Sequence, residues 1–204
     1  MLKSPFMHKN RLEAFSDGVI AIIITIMVLE LRVPHGADWA ALRPLLPVFL
    51  TYLLSYVFLG IYWSNHHHML HMTERVNGAI LWANLHLLFW LSLFPFTTAW
   101  MGDHPHKPVP AAIYGVVLLL AAIAYYVLQL AIIRHQGRDS LLASALGSDW
   151  KGKISPLLYF AAIPLAFVEP WIASALYALV ALMWLIPDTR IERALAKHPA
   201  EERD

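Results

Sequence analysis

Asp17 and Glu30 bracket a stretch of almost pure hydrocarbon, Gly18 to Leu29, in which Thr25 is the one polar side chain. At about 1.5 Å of helical rise per residue, the two carboxylates lie roughly 20 Å apart. A bilayer core is roughly 30 Å thick. If this helix spans a membrane, at least one acid lies at membrane depth, where acids face protein or a watery cavity and mark a pathway or relay. Composition supports the membrane premise. The 204-residue chain is 59% hydrophobic and 14% charged, against about 45–50% and about 25% in soluble domains.

Several function classes fall away at once. A net charge of +1 gives no electrostatic case for nucleic acid or an acidic substrate. The chain has no cysteine, which removes disulfides, thiolate catalysis and Cys-ligated metals. No Gly-rich phosphate loop or nucleophile motif occurs, so an enzyme is not expected. The first ten residues lack the short apolar core and small-residue cleavage site of a signal peptide, and helix 1 is expected to stay in the mature protein.

Six apolar segments predict an all-α integral membrane fold with six transmembrane helices in a single domain, 1–204. They run over about 12–33, 45–63, 79–101, 109–133, 154–168 and 171–186. The last two are short and punctuated by Pro164, Pro170 and Pro187. Either they form a thin or tilted hairpin, or one of them lies in the interface. No internal repeat is evident. With both termini on one side, Lys3, Lys9, Arg11, Arg75, Arg134, Arg138, Lys151, Lys153, Arg190, Arg193, Lys197 and Arg203 share that side, against Arg32, Arg43 and Lys107 on the other. This bias predicts a multi-pass protein of the cell membrane with both termini cytoplasmic. Trp63, Trp82, Trp100 and Trp171 lie near segment ends, where aromatic belts form.

Asn10 followed by Glu13 reads as a capping box, which starts helix 1 near Arg11 and leaves Ser16 and Asp17 inside it. At about 100° per residue, Arg11, Phe15, Gly18, Ile22, Thr25, Ile26 and Leu29 share one stripe, and Ser16 and Asp17 point away from it. A carboxylate in the bilayer needs cations or donors. Asn65, His66 and His67 at the end of helix 2, and Asn84 and His86 near the start of helix 3, lie at similar depth. The polar face is either a clamp that holds helices together or a ligand for an ion or proton. The apolar stripe is either ordinary packing or a pore wall.

Arg11-x-x-x-Phe15-Ser16-Asp17, the Ile-rich helix that follows, Tyr62-Trp63-x-Asn65-His66-His67 at the end of helix 2 and the Leu-Phe-Pro-Phe-Thr run of helix 3 resemble the transmembrane protein 175 family. These are endosomal and lysosomal potassium channels with bacterial relatives. The similarity covers all six segments in order and is strongest over residues 11–101. It implies a homotetramer of six-helix subunits in the lipid bilayer, permeable to potassium and related monovalent cations, with a pore lined by helix 1. It implies no cofactor, only potassium ions in the pore, and no pore-loop filter; no TVGYG-like run occurs here. The family's constriction positions, five, nine and twelve residues after the motif Asp, fall on Ile22, Ile26 and Leu29. The threonine tied to potassium preference falls on Thr25. Arg11, Ser16 and Asp17, with Asn65, His66, His67 and Asn84, correspond to an interhelical polar network. His66-His67-His68 extends the family's usual His pair.

A narrow ring of apolar side chains offers an ion nothing in place of its hydration shell, so it dewets and blocks current. Such a ring gives a hydrophobic gate. Asn65-His66-His67-His68-x-x-His71 is the one metal-like cluster, with His67 and His71 a turn apart; no metal site is expected from it alone. Gln129 and Glu169 sit in apolar surroundings with no partner legible in the sequence. The competing function class is a proton- or cation-coupled transporter using Asp17 and the histidines. Carriers carry inverted repeats and broken helices near the midplane, whereas helix 1 is unbroken after Gly18.

Overall fold

A computed structural model of the chain describes residues 9–73, 75–137, 140, 142–143 and 150–185. Ile186, read as the end of the last segment, and the cations Lys3, Arg138, Arg190, Arg193, Lys197 and Arg203 lie outside the described residues. Within them the chain forms α1 (Lys9–Leu29), a 3₁₀ helix (Trp39–Leu45), α2 (Leu46–His71), α3 (Gly78–Leu91), α4 (Phe94–Asp103), α5 (Pro108–Gln136), α6 (Trp150–Val168) and α7 (Pro170–Leu185). The protein is all-α. In hydrocarbon every backbone donor and acceptor must be satisfied within its own segment, which helices achieve and open strands do not.

Five spans are long and apolar enough to cross a membrane: Lys9–Leu29, Trp39–His71, Gly78–Asp103, Pro108–Gln136 and Trp150–Val168. The 16-residue α7 is a shorter apolar helix. Hydrogen bonds at the two ends of the bundle match the alternating topology. Lys9 donates to the His71 carbonyl, and Gln136 donates to the Met72 carbonyl. At the opposite end Arg32 pairs with Asp103 at 3.3 Å.

The third apolar segment, read as one run over 79–101, is two helices, α3 and α4. Pro95 has no N–H to give to Leu91, so the helical ladder cannot continue through it. Ser92 and Leu93 make the break, and α4 restarts with Pro95 in its first turn, where the missing donor costs nothing. The capping box also differs. α1 is already helical at Lys9, and Glu13 turns to α2 instead of back to Asn10. The start of α3 is capped by Asn77, whose Oδ1 accepts from the Ile80 amide at 2.9 Å.

α5 is the hub, packed on α3, α4, α6 and α7, while α1 lies against α2, α3 and α4. Small side chains set the approach of α5 to the α6–α7 pair: Ala111, Ala121 and Ala124 on α5, Ala162 and Ala166 on α6, and Ala173 and Ala181 on α7 are all buried. Without a solvophobic drive between helices in lipid, close backbone contact of this kind provides the packing. Gly115 is its tightest point. A Cβ there would overlap the Tyr177 hydroxyl, which donates to the Ala111 carbonyl at 3.1 Å. Gly115→Val should therefore expel Tyr177 and destabilise the fold by about 1–3 kcal/mol. Gly78→Ala, where a Cβ meets open space, should leave the melting temperature of the purified protein unchanged.

Candidate functional site

α1 has two different faces. Leu12, Ser16, Ile20, Ile23 and Met27 are buried against the rest of the subunit. Ile22, Ile26 and Leu29 are 60%, 42% and 76% exposed, and Phe15 and Thr25 are also exposed. Helical periodicity produces this division: the buried set recurs every three or four residues, and the exposed set fills the opposite side. Thr25 does not present an unpaired hydroxyl, since Oγ1 donates to the Ala21 carbonyl at 2.8 Å. Its oxygen lone pairs stay available on the exposed face.

Behind the packed face lies a buried hydroxyl group. Thr98 Oγ1 is 2.7 Å from Ser55 Oγ and 3.8 Å from the Met27 sulfur, and Ser55 Oγ is 2.9 Å from Tyr114 Oη. These residues join α1, α2, α4 and α5 at one point. The sequence reading missed this group; the available signal was a hydroxyl side chain within each of three apolar segments, Ser55, Thr98 and Tyr114.

Polar contacts fix the Lys9 end of α1. Asn84 on α3 is the central node. Its Nδ2 donates to Ser16 Oγ at 2.9 Å, and its Oδ1 lies 2.7 Å from His66 Nε2. Because an amide oxygen only accepts, His66 must carry its proton on Nε2 here. Ser16 Oγ in turn donates to the Leu12 carbonyl at 2.8 Å. Ser16, His66 and Asn84 are all fully or almost fully buried, and His66 Nδ1 has no hydrogen-bond partner among the described residues. A second, more exposed tier runs between α1 and α2. Trp63 Nε1 donates to Asp17 Oδ1 at 3.0 Å, and His67 Nδ1 meets Glu13 Oε1 at 2.9 Å. Trp63, His67 and His71 stack in succession, with ring centroids 6.1 and 6.3 Å apart.

The predicted network residues are thus divided. Ser16, His66 and Asn84 form one hydrogen-bonded cluster, and Asp17 and His67 form two separate links between α1 and α2, to Trp63 and to Glu13. Arg11 is exposed, and its side chain makes no hydrogen bond or ion pair with the described residues. Asn65 contributes its backbone carbonyl to the Tyr125 hydroxyl, not its amide to the cluster. His86, considered as a partner for Asp17, accepts from Trp90 Nε1 on its own helix at 2.9 Å. The partner that Asp17 does have is Trp63, a residue whose position near a segment end suggests only an aromatic belt. Glu13, hidden by its capping spacing, is the other participant missed.

These features define a multi-pass helical membrane protein whose first helix is tied down by polar contacts on one side and presents an apolar stripe on the other. Residues 11–95 match the family described as endosomal/lysosomal potassium channel TMEM175. A protein from Chryseobacterium sp. (strain P1-3) named as a potassium channel is 55% identical over 192 residues, covering 94% of this chain and all of that one. The crystal structure of a lysosomal potassium-selective channel TMEM175 homologue from Chamaesiphon minutus superposes with a TM-score of 0.77. It is 29% identical, covering 87% of this chain and 96% of that chain. The human endosomal/lysosomal proton channel TMEM175 is 29% identical over 175 residues, 78% of this chain and 34% of that protein. The chain belongs to the TMEM175 family, a family of ion channels and not of enzymes.

Proposed function

We propose that the chain is one subunit of a homotetrameric, potassium-permeable cation channel of the cell membrane, with both termini cytoplasmic. In this reading α1 of each subunit lines the pore, Ile22, Ile26 and Leu29 form the constriction, and no pore-loop filter takes part. The observation that carries it is the division of α1: a helix held by hydrogen bonds along one side leaves Ile22, Thr25, Ile26 and Leu29 together on the other. The potassium-channel names of the bacterial relatives support the choice of ion. A ring of such side chains closes by dewetting and conducts once it widens. Thr25 is the one oxygen on that wall, and four copies of it bias the open pore toward potassium.

The name of the human relative, a proton channel, favours a second reading in which protons are the main permeant ion. The interhelical contacts of Asp17 and His67 support a structural role for both and weigh against a proton relay through them.

The absence of cysteine from the chain makes a direct test possible. Single cysteines at Thr25 and Ile23 place a thiol on the exposed and the buried face of the same helical turn. The Thr25→Cys channel should react with a water-soluble thiol reagent about tenfold faster than the Ile23→Cys channel, since reactivity follows access to the thiolate, and the reaction should block potassium flux. Equal labelling, or labelling at position 25 that leaves flux intact, would take the pore away from this face.

A further inference from the structure

A cavity of about 620 Å³ lies between α2, α5, α6 and α7, on the side of the subunit away from α1. That size is typical of small-molecule sites, about 300–1,000 Å³. Most of its wall is apolar or aromatic, with Phe58, Ile61 and Tyr62 on α2 facing Ile123 on α5 and Tyr159 on α6. Its rim includes Tyr126 and Leu157, 58% and 67% exposed. Both lie within membrane spans and on the side away from the α1 face, which opens the mouth to lipid.

Besides tyrosine hydroxyls, the polar side chains that break the apolar lining are Asn65, Gln129, Lys153 and Ser155, and Ser155 Oγ is already engaged, donating to the Lys151 carbonyl at 2.7 Å. Gln129 is only 7% exposed and lines the cavity, and its side chain makes no hydrogen bond with the described residues. Its amide therefore keeps two donors and an acceptor to offer a molecule in the cavity. Gln129 lies seven residues before the end of α5 at Gln136, roughly 10 Å inside that end. Lys153, exposed in the first turn of α6, lines the same cavity nearer the membrane surface. The neighbouring Lys151 is otherwise engaged, its ammonium lying 5.9 Å from the Trp184 ring centre. Trp184 closes the far wall by donating to Ser155 Oγ at 2.8 Å.

The order from surface to interior is therefore cation, amide donor, hydrocarbon. A phospholipid has the matching order: phosphate, ester carbonyl, acyl chain. We propose that this cavity holds one acyl chain of an anionic phospholipid from the leaflet on the Gln136 side, with Lys153 on its phosphate and the Gln129 amide on its ester carbonyl. Basic pockets between spanning helices select anionic head groups in this way. Neither group belongs to the α1 wall or to the Asn84 cluster, so occupancy can be read without reference to conduction.

The test is native mass spectrometry of the full chain, purified in detergent and titrated with phosphatidylglycerol, with phosphatidylcholine, or with inorganic phosphate. The wild type should retain phosphatidylglycerol at one per subunit, about fivefold more tightly than phosphatidylcholine, the weight of one basic side chain near a membrane surface; inorganic phosphate alone should not bind. Lys153→Gln, a change of an exposed side chain, should keep the lipid and lose the fivefold preference. Ala122→Trp, which fills the cavity from α5, should abolish retention of both lipids. Retention by Ala122→Trp equal to wild type, an undiminished preference in Lys153→Gln, no preference in the wild type, or capture of free phosphate would each overturn the proposal. Should Ala122→Trp fail to fold, Gln129→Leu serves in its place, with weaker retention of both lipids expected and unchanged retention contradictory.

Discussion

Ile22→Asn should turn a closed subunit ring into a leaking one. In the proposed pore Ile22 supplies the side chain nearest the polar end of α1 among the three constriction residues, and it is 60% exposed on the face that carries them. Four amides in place of four sec-butyl groups give water and ions hydrogen-bonding partners where there were none, so the dewetting barrier falls. A fall of about 1.4 kcal/mol is a tenfold rise in flux, and a rise of about that size is the expected result in potassium-loaded liposomes. Ile22→Ala should also raise flux by widening the ring, and should relax discrimination by ion size. Ile23→Asn differs in kind: Ile23 is buried against the subunit, so an amide there destabilises the fold without opening the pore. Unchanged flux in both Ile22 variants, with folded protein, would move the gate elsewhere.

Asn84→Leu should be the most damaging change in the polar cluster. The asparagine bridges three helices, and its loss removes the contacts to Ser16 and His66 together. Ser16 keeps its bond to Leu12, but His66 is left with both ring nitrogens unpaired in a buried position. Two interhelical hydrogen bonds in a membrane contribute about 0.6–1.7 kcal/mol each, and an orphaned buried donor adds about 1–3 kcal/mol; a destabilisation of about 3 kcal/mol follows. Thermal melting of the purified protein measures it. The exposed Arg11, replaced by Ala, should change stability by less than about 0.5 kcal/mol. A Ser16→Ala, Asn84→Leu cycle should show the coupling expected of direct contacts. Equal losses from Arg11→Ala and Asn84→Leu would place the anchor of α1 elsewhere.

The contrast between these residues shows what the sequence makes legible. The apolar stripe of α1 follows from a 3.6-residue period alone, because Ile22, Thr25, Ile26 and Leu29 share a face whatever the neighbours do. The apolar segments follow from the cost of leaving backbone groups unpaired in lipid. The break at Ser92 and Leu93 also has a local sign, Pro95, but it sits inside a run hydrophobic enough to read as one helix. Partner choice is different, since it depends on how helices rotate against each other. Trp63 looks like an interfacial aromatic and is the donor to Asp17; His86 looks like a partner for Asp17 and serves Trp90; Glu13 has the spacing of a cap and instead holds His67. Asn65 and Asn84 carry the same side chain at similar depth, yet only Asn84 turns its amide into the cluster.

Recording the purified protein in planar bilayers under a potassium-for-sodium gradient tests the proposed function most directly. The expected result is discrete openings that reverse on the potassium side of zero, persist when the proton gradient is collapsed, and lose part of that displacement in Thr25→Ala. Saturable exchange without unitary currents, or current that vanishes with the proton gradient, would contradict a potassium pore lined by α1.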